Sequence, residues 1–214
     1  MTYGETLACL NPCDPQTVAQ ILAPHLFPGA SVADIGCGRG AMLRRLSASG
    51  GYVLYGAEPD EALCAQASLT CPDAEIACAG ADRLPYADGA LDAAILECVF
   101  SLLESPTDAV GELARVIRPG GVLLLSDLYA RAGEGITLTG HELLRFVYAE
   151  DAVEGFFCGG NFVFTSFTDR TKDLQTMVAQ MMMDGTDCDC FDEATIRLLR
   201  QIKAGYGIWL FRRI

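Results

Sequence analysis

Lysine is nearly missing from the 214-residue chain, with Lys172 and Lys203 the only two, and histidine stops at His25 and His141. That scarcity removes most lysine-based chemistry. Lys and Arg together number 15 against 28 Asp and Glu, a formal net charge of −13. The clustered cations that grip a phosphate backbone are therefore lacking, and no nucleic-acid partner is expected. No apolar run reaches the ~18 residues a membrane helix needs. Residues 1–14 show no basic segment ahead of an apolar one, so they do not read as a signal peptide. No cysteine pair has the C-x-x-C spacing of a zinc or redox centre. The sequence predicts a cytoplasmic protein with no membrane partner and no metal.

Hydrophobic residues make up 51% of the chain and charged residues 20%, enough apolar material for a full core. The ten cysteines are Cys9, Cys13, Cys37, Cys64, Cys71, Cys78, Cys98, Cys158, Cys188 and Cys190. Most fall in segments that read as buried, where a thiol acts as a small apolar group. Reduced structural thiols are the expectation. Three soft thiolates would suit a metalloid, yet no three-cysteine pattern converges in the sequence.

Short aliphatic runs alternate with helical stretches, the pattern of a mostly parallel sheet covered on both faces. Asp14-Pro15 opens a first helix as N-cap and first-turn proline. Strands are expected at Ser31–Ile35, Tyr52–Glu58, Ala74–Ala79, Leu91–Glu97 and Val122–Asp127. Helices are expected after Gly40, after Asp60, and from about Thr107 to Val116. The last third is less regular. A helix or helix pair is expected over Gly140–Phe157, a strand at Asn161–Phe167, a helix at Asp192–Lys203 and a final strand at Tyr206–Arg213. Leu174, Met177, Met181 and Met182 fall at helical spacing between them.

The strongest chemical signal is Val32-Ala33-Asp34-Ile35-Gly36-Cys37-Gly38-Arg39-Gly40. A strand ending in a carboxylate and a glycine-rich turn presents bare backbone to a ligand at a helix N-terminus. Glu58 ends the second strand, 24 positions after Asp34, where a carboxylate in nucleotide-binding sheets accepts ribose hydroxyls. Gly36-x-Gly38-x-x-Ala41 also satisfies the dinucleotide fingerprint. An NAD(P)-dependent oxidoreductase thus stands as an alternative. Against it, Asp34 suits a ligand with a cationic amine, and neither lysine follows a tyrosine at the spacing of a short-chain reductase.

Four stretches carry a family resemblance: Asp34–Gly40, Tyr55-Gly56-Ala57-Glu58-Pro59, Leu84-Pro85-Tyr86-Ala87-Asp88-Gly89-Ala90-Leu91-Asp92, and Arg115–Gly121. In this order and spacing the chain resembles the class I S-adenosylmethionine-dependent methyltransferases, the small-molecule, type-11-like group. The resemblance implies an α/β, Rossmann-like, doubly wound and mostly parallel seven-stranded sheet, with an antiparallel edge strand and helices on both faces. It divides a single domain, 1–214, into an N-terminal helix segment (1–30), a cofactor-binding core (31–128) and acceptor-side helices and edge strands (129–214). It implies S-adenosylmethionine as cofactor, S-adenosylhomocysteine as product and a small-molecule acceptor, in a monomer or homodimer. Asp34, Gly36, Cys37, Gly38 and Gly40 would hold the methionine part, Glu58 the ribose, and Pro59, Ala81 and Asp82 the adenine. Gly80 departs from the pattern, since many members carry Asp there.

A sulfonium methyl is already activated, so the protein mainly aligns the reactants and excludes water. A base is needed only where the nucleophile arrives protonated. The candidates are Glu97, which also borders the cofactor, with Asp127, Tyr129 and His141. For Glu97 and Asp127 a competing reading is a strand-end carboxylate capping backbone N–H groups. Asp184–Asp192 is acidic but lacks calcium-loop spacing. Acceptor specificity is expected from residues 129 to 204. A fold-level match also leaves room for a non-catalytic cofactor-binding subunit.

Overall fold

The computed structural model describes residues 11–138, 144–183 and 193–214. Helix α1 (Pro15–Leu22) begins where the sequence predicts, with the Asp14 carboxylate accepting the Gln16 N–H at 2.9 Å. The chain then alternates β1 (Ser31–Ile35), α2 (Ala41–Ser49), β2 (Val53–Glu58), α3 (Glu61–Thr70), β3 (Glu75–Cys78), β4 (Leu91–Glu97), α4 (Pro106–Val116) and β5 (Ile117–Tyr129). Beyond β5 lie β6 (Gly135–Thr137), β7 (Phe146–Tyr148), α5 (Glu150–Gly159), β8 (Phe162–Asp169), α6 (Thr171–Met183), α7 (Glu193–Gln201) and β9 (Gly205–Arg213).

Seven strands form one sheet in the order β3-β2-β1-β4-β5-β9-β8. The first five are parallel, and β9 runs antiparallel to both its neighbours. The antiparallel strand therefore sits one place inside the edge, flanked by β8. Strand order reverses between β1 and β4, which opens a crevice at their carboxyl ends.

Both faces of the sheet are buried, and the side-chain period of two sorts them. Ala33 and Ile35, Ala94 and Leu96, Leu123 and Leu125, with Trp209 and Phe211, pack to one side. Val32, Ala93 and Ile95, Val122 and Leu124, with Tyr206, Ile208 and Leu210, pack to the other. A smaller cluster of Ala130, Leu138, Leu144, Val147 and Ile202 sits beyond β5.

One expectation fails among the described residues of 140–157. Phe146-Val147-Tyr148 is a strand, and the helix starts only at Glu150. Aromatic and β-branched residues favour a pleated surface, and β6 offers them a partner, with Ile136 opposite Val147. No described helix is long and apolar enough to cross a membrane.

Candidate active site

The turn after β1 is built by glycines with positive φ: Gly36 at 75°, Gly38 at 52° and Gly40 at 79°. A side chain at Gly36 would run into Val99, and one at Gly40 would press on the backbone of Ala67 in α3 at 3.3 Å. The turn is tied to β2 by the N–H groups of Gly36 and Cys37, both donating to the Ala57 carbonyl at 2.7 and 3.1 Å. It closes on itself where the Gly40 N–H meets the Cys37 carbonyl at 2.8 Å.

Glu58 stands opposite. One carboxylate oxygen accepts the Gly38 N–H at 3.0 Å and the other the Asp60 N–H at 3.1 Å. These bonds lock the headgroup in front of the turn. Burial raises its pKa, and the two N–H donors pull it back. Asp34 is 3% exposed, and no described residue donates a hydrogen bond to its carboxylate. Burial first, then the charges of Glu97 and Glu58, push its pKa well above the usual carboxylate range. A cation placed here would relieve all three.

Together these residues border a cleft of about 800 Å³. Asp34, Gly36, Cys37, Gly38, Glu58, Pro59, Ala81, Asp82 and Glu97 all line it, as the sequence reading proposed. Gly40 does not. It serves instead as the left-handed N-cap of α2. Gly80 also lines the cleft, and an added Cβ there would fall 2.5 Å from the Asp82 carboxylate oxygen. Asp82 has folded back into the space before Gly80.

Glu97 ends β4 on the floor of the cleft, and burial pushes its pKa up to about 7. Its Oε1 accepts from the Asn11 side chain at 3.3 Å, the one bond among the described residues that favours its charged form. Cys98 follows with a positive φ of 55°, unusual for a residue with a side chain. Its N–H donates to the Ser126 carbonyl at 2.7 Å, and its thiol lies 3.6 Å from the Tyr206 hydroxyl.

Two expected catalytic residues are not brought to this cleft. Asp127 is 2% exposed, and its carboxylate accepts the Ser101 N–H at 2.8 Å and the Leu128 N–H at 2.7 Å. It is the backbone cap of the competing reading. Burial still lifts it to about 6. Tyr129 packs edge-on to Phe167 and Trp209 and borders a separate recess with Arg131 and Glu150. His141, Cys9, Cys188, Cys190, the 184–192 segment and the Met182 side chain lie outside the described residues.

The acceptor side also differs from expectation. Of the described residues between 129 and 204, Arg145 lines the cleft, and Leu174, Met177 and Met181 do not. Arg145 pairs with Glu104 at 2.8 Å. Other lining groups that sequence reasoning passed over include Asn11, Cys13, Arg39, Val99, Leu102 and Leu103. Arg39 alone had a local signal, its place within the glycine turn.

Residues 33–125 match the family model of a methyltransferase domain. The chain is 32% identical over 126 residues to a tRNA U34 carboxymethyltransferase of Hahella chejuensis, covering 55% of this chain and 39% of that protein. It is 34% identical over 118 residues to a 2-methyl-6-phytyl-1,4-hydroquinone methyltransferase of Synechocystis, covering 53% and 36%. The matches thus span well under half the length of these relatives. In three dimensions it superposes on the geranyl diphosphate C-methyltransferase of Streptomyces coelicolor A3(2) with a TM-score of 0.74, at 14% identity over 93% of this chain and 78% of that one. Strand order, turn and sequence match coincide on the same stretch: residues 33–125 carry a methyltransferase domain, in a chain with the fold of the class I S-adenosylmethionine-dependent enzymes.

Proposed function

We propose that the protein transfers a methyl group from S-adenosylmethionine to a small-molecule acceptor bound in the same cleft. The observation that carries this is the Glu58 carboxylate, fixed by two backbone N–H groups in front of the glycine turn. Its remaining lone pairs suit two vicinal hydroxyls. The donor set fits the rest of the cofactor as well. Asp34, buried and without a hydrogen bond from any described residue, calls for a positively charged neighbour such as an α-amino group. Asp82, folded before Gly80, offers an acceptor for the adenine amino group. It stands in for the carboxylate many members carry at the Gly80 position.

When bound, the cofactor supplies a methyl carbon already activated by a positively charged sulfur. The chain has then to orient, desolvate and, for a protonated nucleophile, remove a proton. Leu102 and Leu103 give the cleft an apolar wall, and Val99 packs against Gly36 of the glycine turn. Glu97 is the group placed to take a proton, since burial leaves it poised near neutrality. An acceptor H–Nu would surrender its proton to the Glu97 carboxylate as the bond from Nu to carbon forms and the carbon–sulfur bond breaks. The charges on the carboxylate and the sulfonium cancel in that step.

A small acceptor is favoured over a tRNA on two grounds. A cleft near 800 Å³ lies within the ~300–1,000 Å³ typical of small-ligand sites. The net charge of −13 opposes a polyanionic partner. The test is a turnover screen that reads S-adenosylhomocysteine release against pooled metabolites and, in parallel, bulk tRNA. Calorimetry compares S-adenosylhomocysteine with NADH. Turnover with tRNA alone would overturn the acceptor class, and binding of NADH in place of S-adenosylhomocysteine would overturn the reading.

A further inference from the structure

Asn11 joins the cleft floor from outside the domain match, through contacts no local motif announces. Its side-chain nitrogen donates to Glu97 Oε1 at 3.3 Å, across 86 positions of sequence. Its side-chain oxygen accepts the Cys13 N–H at 3.3 Å and faces the Tyr206 hydroxyl at 3.5 Å. Two donors on the oxygen fix which way the amide points, so the N–H side is the one turned to Glu97. Tyr206 is itself fully buried and held 2.9 Å from Ser126 Oγ. The amide is anchored from behind and aimed forward.

We infer that Asn11 is the positioning residue that keeps Glu97 ionisable, so that the cleft accepts a nucleophile arriving as N–H or O–H. This deepens the methyl-transfer reading and rests on it. The groups around Glu97 make the argument. Asp34 of β1 is a second carboxylate whose pKa Glu97 raises, and the thiols of Cys13 and Cys98 and the phenol of Tyr206 are all raised by burial and by Glu97. The cations nearby, Arg170 against Cys13 and Arg39 and Arg145 on the cleft wall, do not figure among the causes that set the Glu97 shift. Burial disfavours the charged form of Glu97, and Asn11 is the one described group that opposes it. Without that donor a larger share of the carboxyl would be protonated at neutral pH, and less of it could take a proton. A carbanion or thioether acceptor would need no such device.

The test titrates Glu97 itself in the full chain, by the carboxyl ¹³C shift of glutamate-labelled protein, with Glu97→Gln identifying the signal. The midpoint near 7 should move upward by about one pH unit in Asn11→Ala, the scale of one lost charge-assisted bond. Asn11→Asp should move it upward as well, because it replaces a donor by a like charge. Tyr206→Phe, which keeps the amide but removes one of the two donors to its oxygen, should give a smaller rise. Any folded Asn11 variant whose midpoint equals the native one overturns the inference. Calorimetry with S-adenosylhomocysteine on the same proteins separates the two ideas. Failure of the native protein to bind it defeats the methyl-transfer reading, whatever the titration shows.

Discussion

The two ends of the cleft are built by different means. The cofactor end comes almost wholly from contiguous sequence, in which Asp34, the Gly36–Gly40 turn and Glu58 lie within two strands and one turn. Its key bonds run to backbone N–H groups, and a Cβ would strike Val99 at Gly36 and α3 at Gly40. The acceptor end is assembled from distant pieces: Asn11 ahead of α1, the end of β4, Arg145 beside β7 and Tyr206 of β9 behind them. A ligand common to a whole family needs fixed main-chain donors, whereas a variable one can be met by side chains from any element. The lesson is that the end proposed for the cofactor rests on backbone geometry and the end proposed for the acceptor on long-range contact.

The comparison breaks first at Glu58. Glu58→Ala should weaken S-adenosylhomocysteine binding about 100-fold or more, as two charge-assisted bonds of roughly 1.5–3 kcal/mol each would imply. Calorimetry on the folded variant decides it, and unchanged affinity would dissolve the distinction between the two ends. Asp127→Ala should do the reverse. It strands two buried N–H groups, at a cost of about 2–3 kcal/mol and a melting temperature lower by roughly 5–10 °C. Affinity for S-adenosylhomocysteine should stay within about twofold, so a selective loss of turnover at unchanged stability would return Asp127 to the active site.

How much of this was legible follows the same division. The glycine turn and Glu58 could be read because a motif is a local pattern, and their partners are backbone atoms every residue carries. Asp127 and Glu97 look alike in sequence, each an acidic residue at or near the carboxyl end of an aliphatic strand. What separates them is the Ser101 N–H, a donor with no side-chain signature, 26 positions away. The strand β8 was readable from alternation, and β9 from its run of apolar and aromatic residues. Phe146–Tyr148 was not, since three residues are too few for a period and the pairing with β6 decides them. Asn11 was beyond reach, because its partners lie 86 and 195 positions off.

A pH series sharpens the contrast further. Glu97 is raised from 4.5 to about 7 and Asp127 from 3.8 to about 6. Their protonated forms are thus favoured by folding. The stability they contribute is fully present below about pH 4 and is lost as pH rises through 6 to 7. The melting temperature should therefore rise by a few degrees between pH 8 and 5.5, and Glu97→Gln should flatten that slope. A melting temperature that falls over this range would contradict the burial of both groups. The smallest effect is expected at Arg145. Its pair with Glu104 is exposed, so Arg145→Ala should cost under about 0.5 kcal/mol of stability and leave cofactor affinity alone. Acceptor KM is the parameter that should move, measured with whichever acceptor the screen returns.

The place of β9 carries a consequence for how the molecule comes to exist. It is made after the six other strands of the sheet, yet it fills the gap between β5 and β8 and pairs with both along nearly its full length. Before residues 205–213 leave the ribosome, β5 has an open edge and β8 has nothing to pair with. An unpaired aliphatic edge of that kind invites association with other chains. The same strand brings Tyr206 to Asn11, so the segment ahead of α1 waits for a partner 195 positions further on. Cofactor affinity acquired during synthesis should thus precede the completion of the acceptor end, and closing the sheet is the long-range, slow step of folding.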